Sequence, residues 1–207
     1  MFEPYAGRNQ RLACLRSHTM DELTQIDIKV FAEDASDVKA TEFIAVLQRW
    51  IREHTIPGTL IDVADYSHIH NGAGVILVGH ERNLSIDYAD GRMGLLVHYK
   101  RPTEQTLEER IVAAIEFAFN ACTLLEEEGE FKTRLKFSLM DFRFLASDRL
   151  HAPNSDEAYA EISPVLEAAT KSVSDGDAAL TRINDDPDER LAIDVTASAG
   201  VKAEAIA

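Results

Sequence analysis

The segment from Asp65 to Arg82 reads Asp-Tyr-Ser-His-Ile-His-Asn-Gly-Ala-Gly-Val-Ile-Leu-Val-Gly-His-Glu-Arg, and no other stretch concentrates so many reactive side chains. It holds His68, His70 and His80, three of the chain's seven histidines, with Asp65, Tyr66, Glu81 and Arg82 around them. Imidazoles ligate metals and exchange protons near neutral pH. His68 and His70 stand two apart, so an extended backbone points both rings the same way. His80 lies at the end of the strand that follows. Neutral imidazoles with a carboxylate form a familiar set for a divalent transition metal such as zinc, iron or manganese. The expectation is a site of His68, His70 and His80, completed by Asp65 or Glu81. The competing reading is a polar surface turn whose histidines cap backbone groups, since His-x-His alone lacks the ligand count of a full metal signature. The same seven residues, Asp65, Tyr66, His68, His70, His80, Glu81 and Arg82, equally suit a small polar ligand.

Asn71-Gly72-Ala73-Gly74 precedes a strand and not a helix. Phosphate loops and dinucleotide fingerprints need a helix N-terminus at that point, so both are excluded. The glycines serve either an anion nest or a tight connection with positive φ. Glu81, Arg82, Asp87 and His98 are the acid–base candidates. His80 and His98 fall in predicted strands that could share a sheet face. A histidine beside a carboxylate there is either a general base or an ordinary cross-strand polar pair. No Gly-x-Ser-x-Gly elbow occurs. Cys122 sits on an apolar helical stripe, where burial makes a thiol a poor nucleophile. The acidic residues at 175–177 and 185–189 lack the spacing of a calcium loop and read as solvated.

These groups need a scaffold, and hydrophobic periodicity supplies one. Ile26, Ile28 and Val30 alternate with Asp27, Lys29 and Phe31, the period of a half-buried strand. Phe43, Leu47, Trp50, Ile51 and His54 make the stripe of a helix over about 38–54. Leu60 to Ala64 shows little polar alternation, which predicts a central strand covered on both faces. Strands follow at 75–80, 84–88 and 93–99, with Asp90-Gly91 as a hairpin turn. Thr106-x-x-Glu109 is a capping box for a helix to about Glu128. The broad apolar girth of that helix suits either a C₂ dimer contact or enclosure by a later helix.

Between Leu139 and Met140 the alternation changes phase, which a β-bulge would explain. A helix through about Val173 carries Pro164, which should kink or divide it. Residues 174–190 read as a long loop, and Leu191, Ile193 and Val195 as a last strand. The order predicts an α+β two-layer sandwich, a mixed and mostly antiparallel sheet with helices largely on one face. A ferredoxin-like core with extra hairpin strands fits it. The division is an N-terminal arm over 1–22, one α+β domain over 23–197 and a flexible tail over 198–207. Ile-Asp-Val recurs at 61–63 and 193–195, a weak hint of duplication within that domain.

The net charge of −15 argues against nucleic acid and anionic membranes as partners. No apolar run reaches the length of a transmembrane helix. Two cysteines and no apolar leader point to a reducing cytoplasm. Three functional classes follow: a cytoplasmic small-ligand-binding or sensory protein using the histidine-rich loop, a metal-assisted hydrolase or lyase using His68, His70 and His80, or an oligomeric scaffold, with a homodimer as the expected assembly.

Overall fold

The structure is a computed structural model that describes residues 20–35, 37–101 and 103–199. The arm expected over 1–22 and the tail over 198–207 lie almost wholly outside the described residues, as does Cys14. Met20–Glu22 form a short 3-10 turn. The elements are β1 (Ile26–Asp34), α1 (Glu42–Glu53), β2 (Leu60–Tyr66), β3 (Gly74–Gly79), β4 (Arg82–Asp87), β5 (Gly94–Tyr99), α2 (Leu107–Glu127), β6 (Lys136–Ala146), α3 (Asp156–Val173), β7 (Ala178–Arg182) and β8 (Leu191–Ala197).

The eight strands form one sheet in the order β2-β3-β4-β5-β1-β6-β8-β7. Every pairing is antiparallel, where a mixed but mostly antiparallel sheet was expected. The α+β class is the one the element order predicts.

Register decides what each face carries. Ile26, Ile28 and Val30 lie opposite Tyr99, Val97 and Leu95 on one side and Ala146, Phe144 and Phe142 on the other. Leu84, Ile86, Leu77, Val75, Ile193 and Val195 continue the same face, and it joins Phe43, Trp50, Ile111, Ile115, Ile162 and Leu166 of the helices in one buried core. The three helices therefore pack on one face. The opposite face carries Asp27, Lys29 and Phe31 of β1, His98 of β5, Asp87 of β4, Arg143 of β6 and Asp194 of β8.

Local signals account for several boundaries. Thr106 and Glu109 form the reciprocal capping box at the start of α2. The Ser155 side chain accepts from the Ala158 N–H and caps α3. Asp90 and Gly91 take φ of 61° and 67° in the β4–β5 turn. The phase change in β6 is a bulge. Val30 pairs with Phe142 and Ala32 with Phe137, so residues 138–141 loop out opposite Phe31. There the Ser138 hydroxyl accepts from the Met140 and Asp141 N–H groups.

Three expectations are corrected. β2 is an edge strand and not a central one. A register shift between Leu60 and Asp62 turns Ile61 outward, 59% exposed, which mimics the unbroken apolar run of a doubly covered strand. Of the two outcomes expected at Pro164, division does not occur, since α3 continues through it. The expected loop after it contains β7, an edge strand. α1 starts at Glu42, four residues later than expected, after a turn at Lys39–Thr41. The girth of α2 packs against both the sheet and α3 of the same chain, so no second copy is needed to cover it. None of the described helices is long and apolar enough to cross a membrane.

Candidate functional site

The hairpin of β2 and β3 separates the histidines. His68 and His70 occupy the turn at its tip, whereas His80 follows the far end of β3. Six residues of strand intervene, a span of about 20 Å at the usual rise per residue. The expected gathering of three imidazoles does not form. Among the described residues no three His, Cys, Asp or Glu side chains group so as to hold a metal ion.

Each side chain of the segment has its own local task. The Asp65 carboxylate accepts from the Ser67 N–H at 2.9 Å, and hydrogen bonds with Ser67 hold its pKa below the usual value. Tyr66 stacks on His68 with ring centroids 6.3 Å apart. Glu81 accepts from the Thr59 N–H at 3.1 Å, which lowers its pKa, and lies 3.4 Å from the His80 ring. Arg82 donates to the Pro57 carbonyl at 2.6 Å and lies 3.8 Å over the Phe117 ring. It is a packing residue, with its stem and guanidinium both engaged.

Of the seven, His70 lines a cavity. Its volume is about 540 Å³, between the hairpin tip, residues 38–41 and the β4–β5 turn. Lys39, Thr41, Ser67, Asn71 and Tyr88 supply its polar groups, and Val38 and Ile69 its apolar ones. Gly74, at φ 58°, closes the tip against Ile86 and Tyr88, where a Cβ would stand 2.2 Å from the Ile86 oxygen. Burial raises the Tyr88 pKa.

A denser constellation lies on the helix-free face of the sheet. Lys29 is only 2% exposed. Its ammonium donates to Asp87 Oδ1 at 2.5 Å and to the Ala89 oxygen at 3.0 Å. Burial lowers its pKa, against the opposing pull of Asp87. Arg143 forks onto Asp194, with Nε 2.6 Å from Oδ1 and Nη2 3.1 Å from Oδ2, and Nη1 donates to Asp90. Burial opposes its charge, but the two aspartates outweigh that and raise its pKa. Phe31 lies beneath Arg92, whose guanidinium is 3.7 Å from the ring centroid, and beside Lys29 and Arg143.

A separate group on the same face of β1 centres on Asp27, which is buried. Asp27 stands directly across from His98, with Oδ1 2.5 Å from the ring Nδ1. Its Oδ2 accepts from the Ser147 hydroxyl at 2.8 Å and from Arg190 at 3.0 Å. The acid–base candidates Asp87 and His98 thus share a sheet face but belong to separate hydrogen-bonded groups, Asp87 with Lys29 and His98 with Asp27. A carboxylate that aligns one ring nitrogen of a histidine leaves the other nitrogen for proton exchange.

Lys29, Asp87 and Arg143 border a cavity of about 240 Å³. Lys29, Asp87, Asp90, Arg143, Glu189 and Arg190 supply its charges, and Leu96, Leu145, Ile183 and Ala192 its apolar surface. The β4–β5 turn and the segment 183–190 wall it on two sides. A cleft with buried charges of shifted pKa is the usual physical mark of a functional site. Lys29, Arg143 and Asp27 did not stand out in the sequence reading. The available signal was the alternation of acidic and basic residues on the outward parity of 26–31, where plain solvent exposure was the simpler reading.

No protein-family description matches this chain, and neither does any curated protein or solved structure.

Proposed function

We propose that the protein binds a small polar molecule in the cleft on the helix-free face of its sheet. One observation carries this reading: Lys29, 2% exposed, and its buried neighbours converge on a walled cavity of about 240 Å³ that also offers an apolar floor. Mixed lining of this kind orients a ligand through a few polar groups while its body is held by apolar contact. Burying several charges costs stability, and an apolar set of equal volume would be cheaper. Functional sites are where such costs are retained.

The test is thermal melting across a set of small charged and neutral molecules, with Ala192→Trp as the blocked control. A ligand at 100 times its Kd stabilises the folded chain by about 2.7 kcal/mol. The reading expects such a shift in the natural chain and none in the blocked variant. Equal shifts in both, or none in either, would remove it.

A second reading keeps the site at the hairpin tip. Its support is the larger cavity lined by His70, Ser67, Asn71 and Tyr88. A melting shift abolished by His70→Ala and retained by Ala192→Trp would favour it.

A further inference from the structure

We infer that Lys29 is the reactive group of the helix-free cleft, an amine that condenses with a small aldehyde or ketone to form an iminium; this rests on the reading of that cleft as a binding site. Three observations carry it. The Lys29 side chain is 2% exposed, yet it lines the cavity. The groups that hold its ammonium, Asp87 at 2.5 Å and the Ala89 oxygen at 3.0 Å, belong to residues lining the same cavity, so the nitrogen lies at the wall and not behind it. Leu96, Leu145 and Ala192 offer an apolar bed for the carbon part of a ligand.

A lysine attacks a carbonyl as the free amine. Burial lowers the Lys29 pKa, Asp87 pulls the other way without reversing it, and the nearby Arg143 charge adds to the lowering. The counter-ion also serves as the proton carrier. Asp87 Oδ1 accepts from the ammonium and from the Ala89 N–H, and its Oδ2 has no hydrogen-bond partner among the described residues. A carboxylate that takes up a proton becomes a donor.

The step balances within the cleft. Asp87 takes a proton from the ammonium, and the freed lone pair forms the C–N bond at the carbonyl carbon. The carboxyl returns that proton to the carbonyl oxygen. It then relays a second proton from nitrogen to the same oxygen, which leaves as water while the C=N bond forms. The product is a cationic iminium beside an anionic Asp87, the same two charges that the pair already holds. Exchanging one cation for the other therefore adds no buried charge. The walls at the β4–β5 turn and at 183–190 limit the access of bulk water to the iminium.

The experiment treats the full chain with acetone and, separately, with propanal in the presence of sodium cyanoborohydride, which reduces an iminium to a stable secondary amine. Peptide mass mapping then gives the rate at each lysine. An ordinary lysine pKa of about 10.4 leaves roughly one group in a thousand as free amine at a pH of about 7.4, the pH of the test. Lys39 and Lys132, both exposed, are the references. The expected result is modification of Lys29 about tenfold faster than of either reference, or more, and its loss in Ala192→Trp, whose ring fills the cleft. Lys29 reacting no faster than the references, while acetone still shifts the methyl NMR signals of Leu96 and Leu145, overturns the iminium and leaves the cleft standing. The same slow Lys29, with those methyls silent to acetone, propanal and every molecule of the melting set, overturns both. Fast modification of Lys29 that persists in Ala192→Trp puts the route outside the cleft and also overturns the assignment.

Discussion

The Lys29 ammonium lies 2.5 Å from Asp87 Oδ1, and neither residue is more than 8% exposed although both belong to the sheet face that no helix covers. Long side chains and two loops bury them instead. The pair joins β1 to β4 across β5. Removing the Asp87 charge leaves the Lys29 ammonium buried without its counter-ion, on the neutral Ala89 oxygen. Asp87→Asn should therefore destabilise by about 3–5 kcal/mol, whereas Lys29→Met with Asp87→Leu should be neutral or stabilising. Urea unfolding of the three proteins checks this. A harmless Asp87→Asn would show that the ion pair is not sealed from water.

Gly94 makes the buried lysine possible. A Cβ there would stand 2.6 Å from the Val30 oxygen and 3.0 Å from Lys29 Cε. Gly94→Ala should cost about 1–3 kcal/mol, the range for overpacking. The same substitution should move the Lys29 side-chain NMR signals. Unchanged stability and signals would mean that the lysine stem runs elsewhere.

Acid should weaken the fold through Glu42. Hydrogen bonds from Arg134, and then from the Lys39 N–H, hold its pKa at about 2 against an ordinary 4.5. Between those values the unfolded chain binds more protons than the folded one. The stability this group supplies is complete above 4.5 and is lost as pH falls toward 2. Glu42→Gln should flatten the stability–pH curve in that window and leave the curve near neutrality parallel. Identical slopes in both proteins would contradict the Arg134 contact.

Thr106 is the cap of the longest helix. Its side chain accepts from the Glu109 N–H and Glu109 answers to the Thr106 N–H. Thr106→Ala should cost about 1 kcal/mol. Hydrogen exchange in the first turn of α2 should rise with it. Protection unchanged at 107–110 would show that the turn is held by packing alone.

Much of the scaffold was legible because its signals are local. The alternation at 26–31, the Thr106 capping box, the Asp90-Gly91 turn and the phase change before Met140 all rest on neighbours within a few residues. The missing pieces depend on distant partners. β7 carries Leu180 as its one large apolar side chain, and its strand form comes from pairing with β8. β2 owes its edge position to sheet order, which periodicity does not encode. The site follows the same division. His70 reaches a cavity, but Lys29 meets Asp87 58 positions away and Arg143 meets Asp194 51 positions away. Nothing local distinguishes an outward lysine that will be buried from one that will be solvated.

The most direct measurement is the methyl NMR spectrum of the natural chain and of Ala192→Trp during titration with a mixed set of small amines, carboxylates and alcohols. Shifts confined to Leu96, Leu145 and Ile183, absent when the tryptophan fills the cleft, are the predicted result. Shifts centred on Ile69 at the hairpin tip, or a pattern that Ala192→Trp leaves intact, would contradict it.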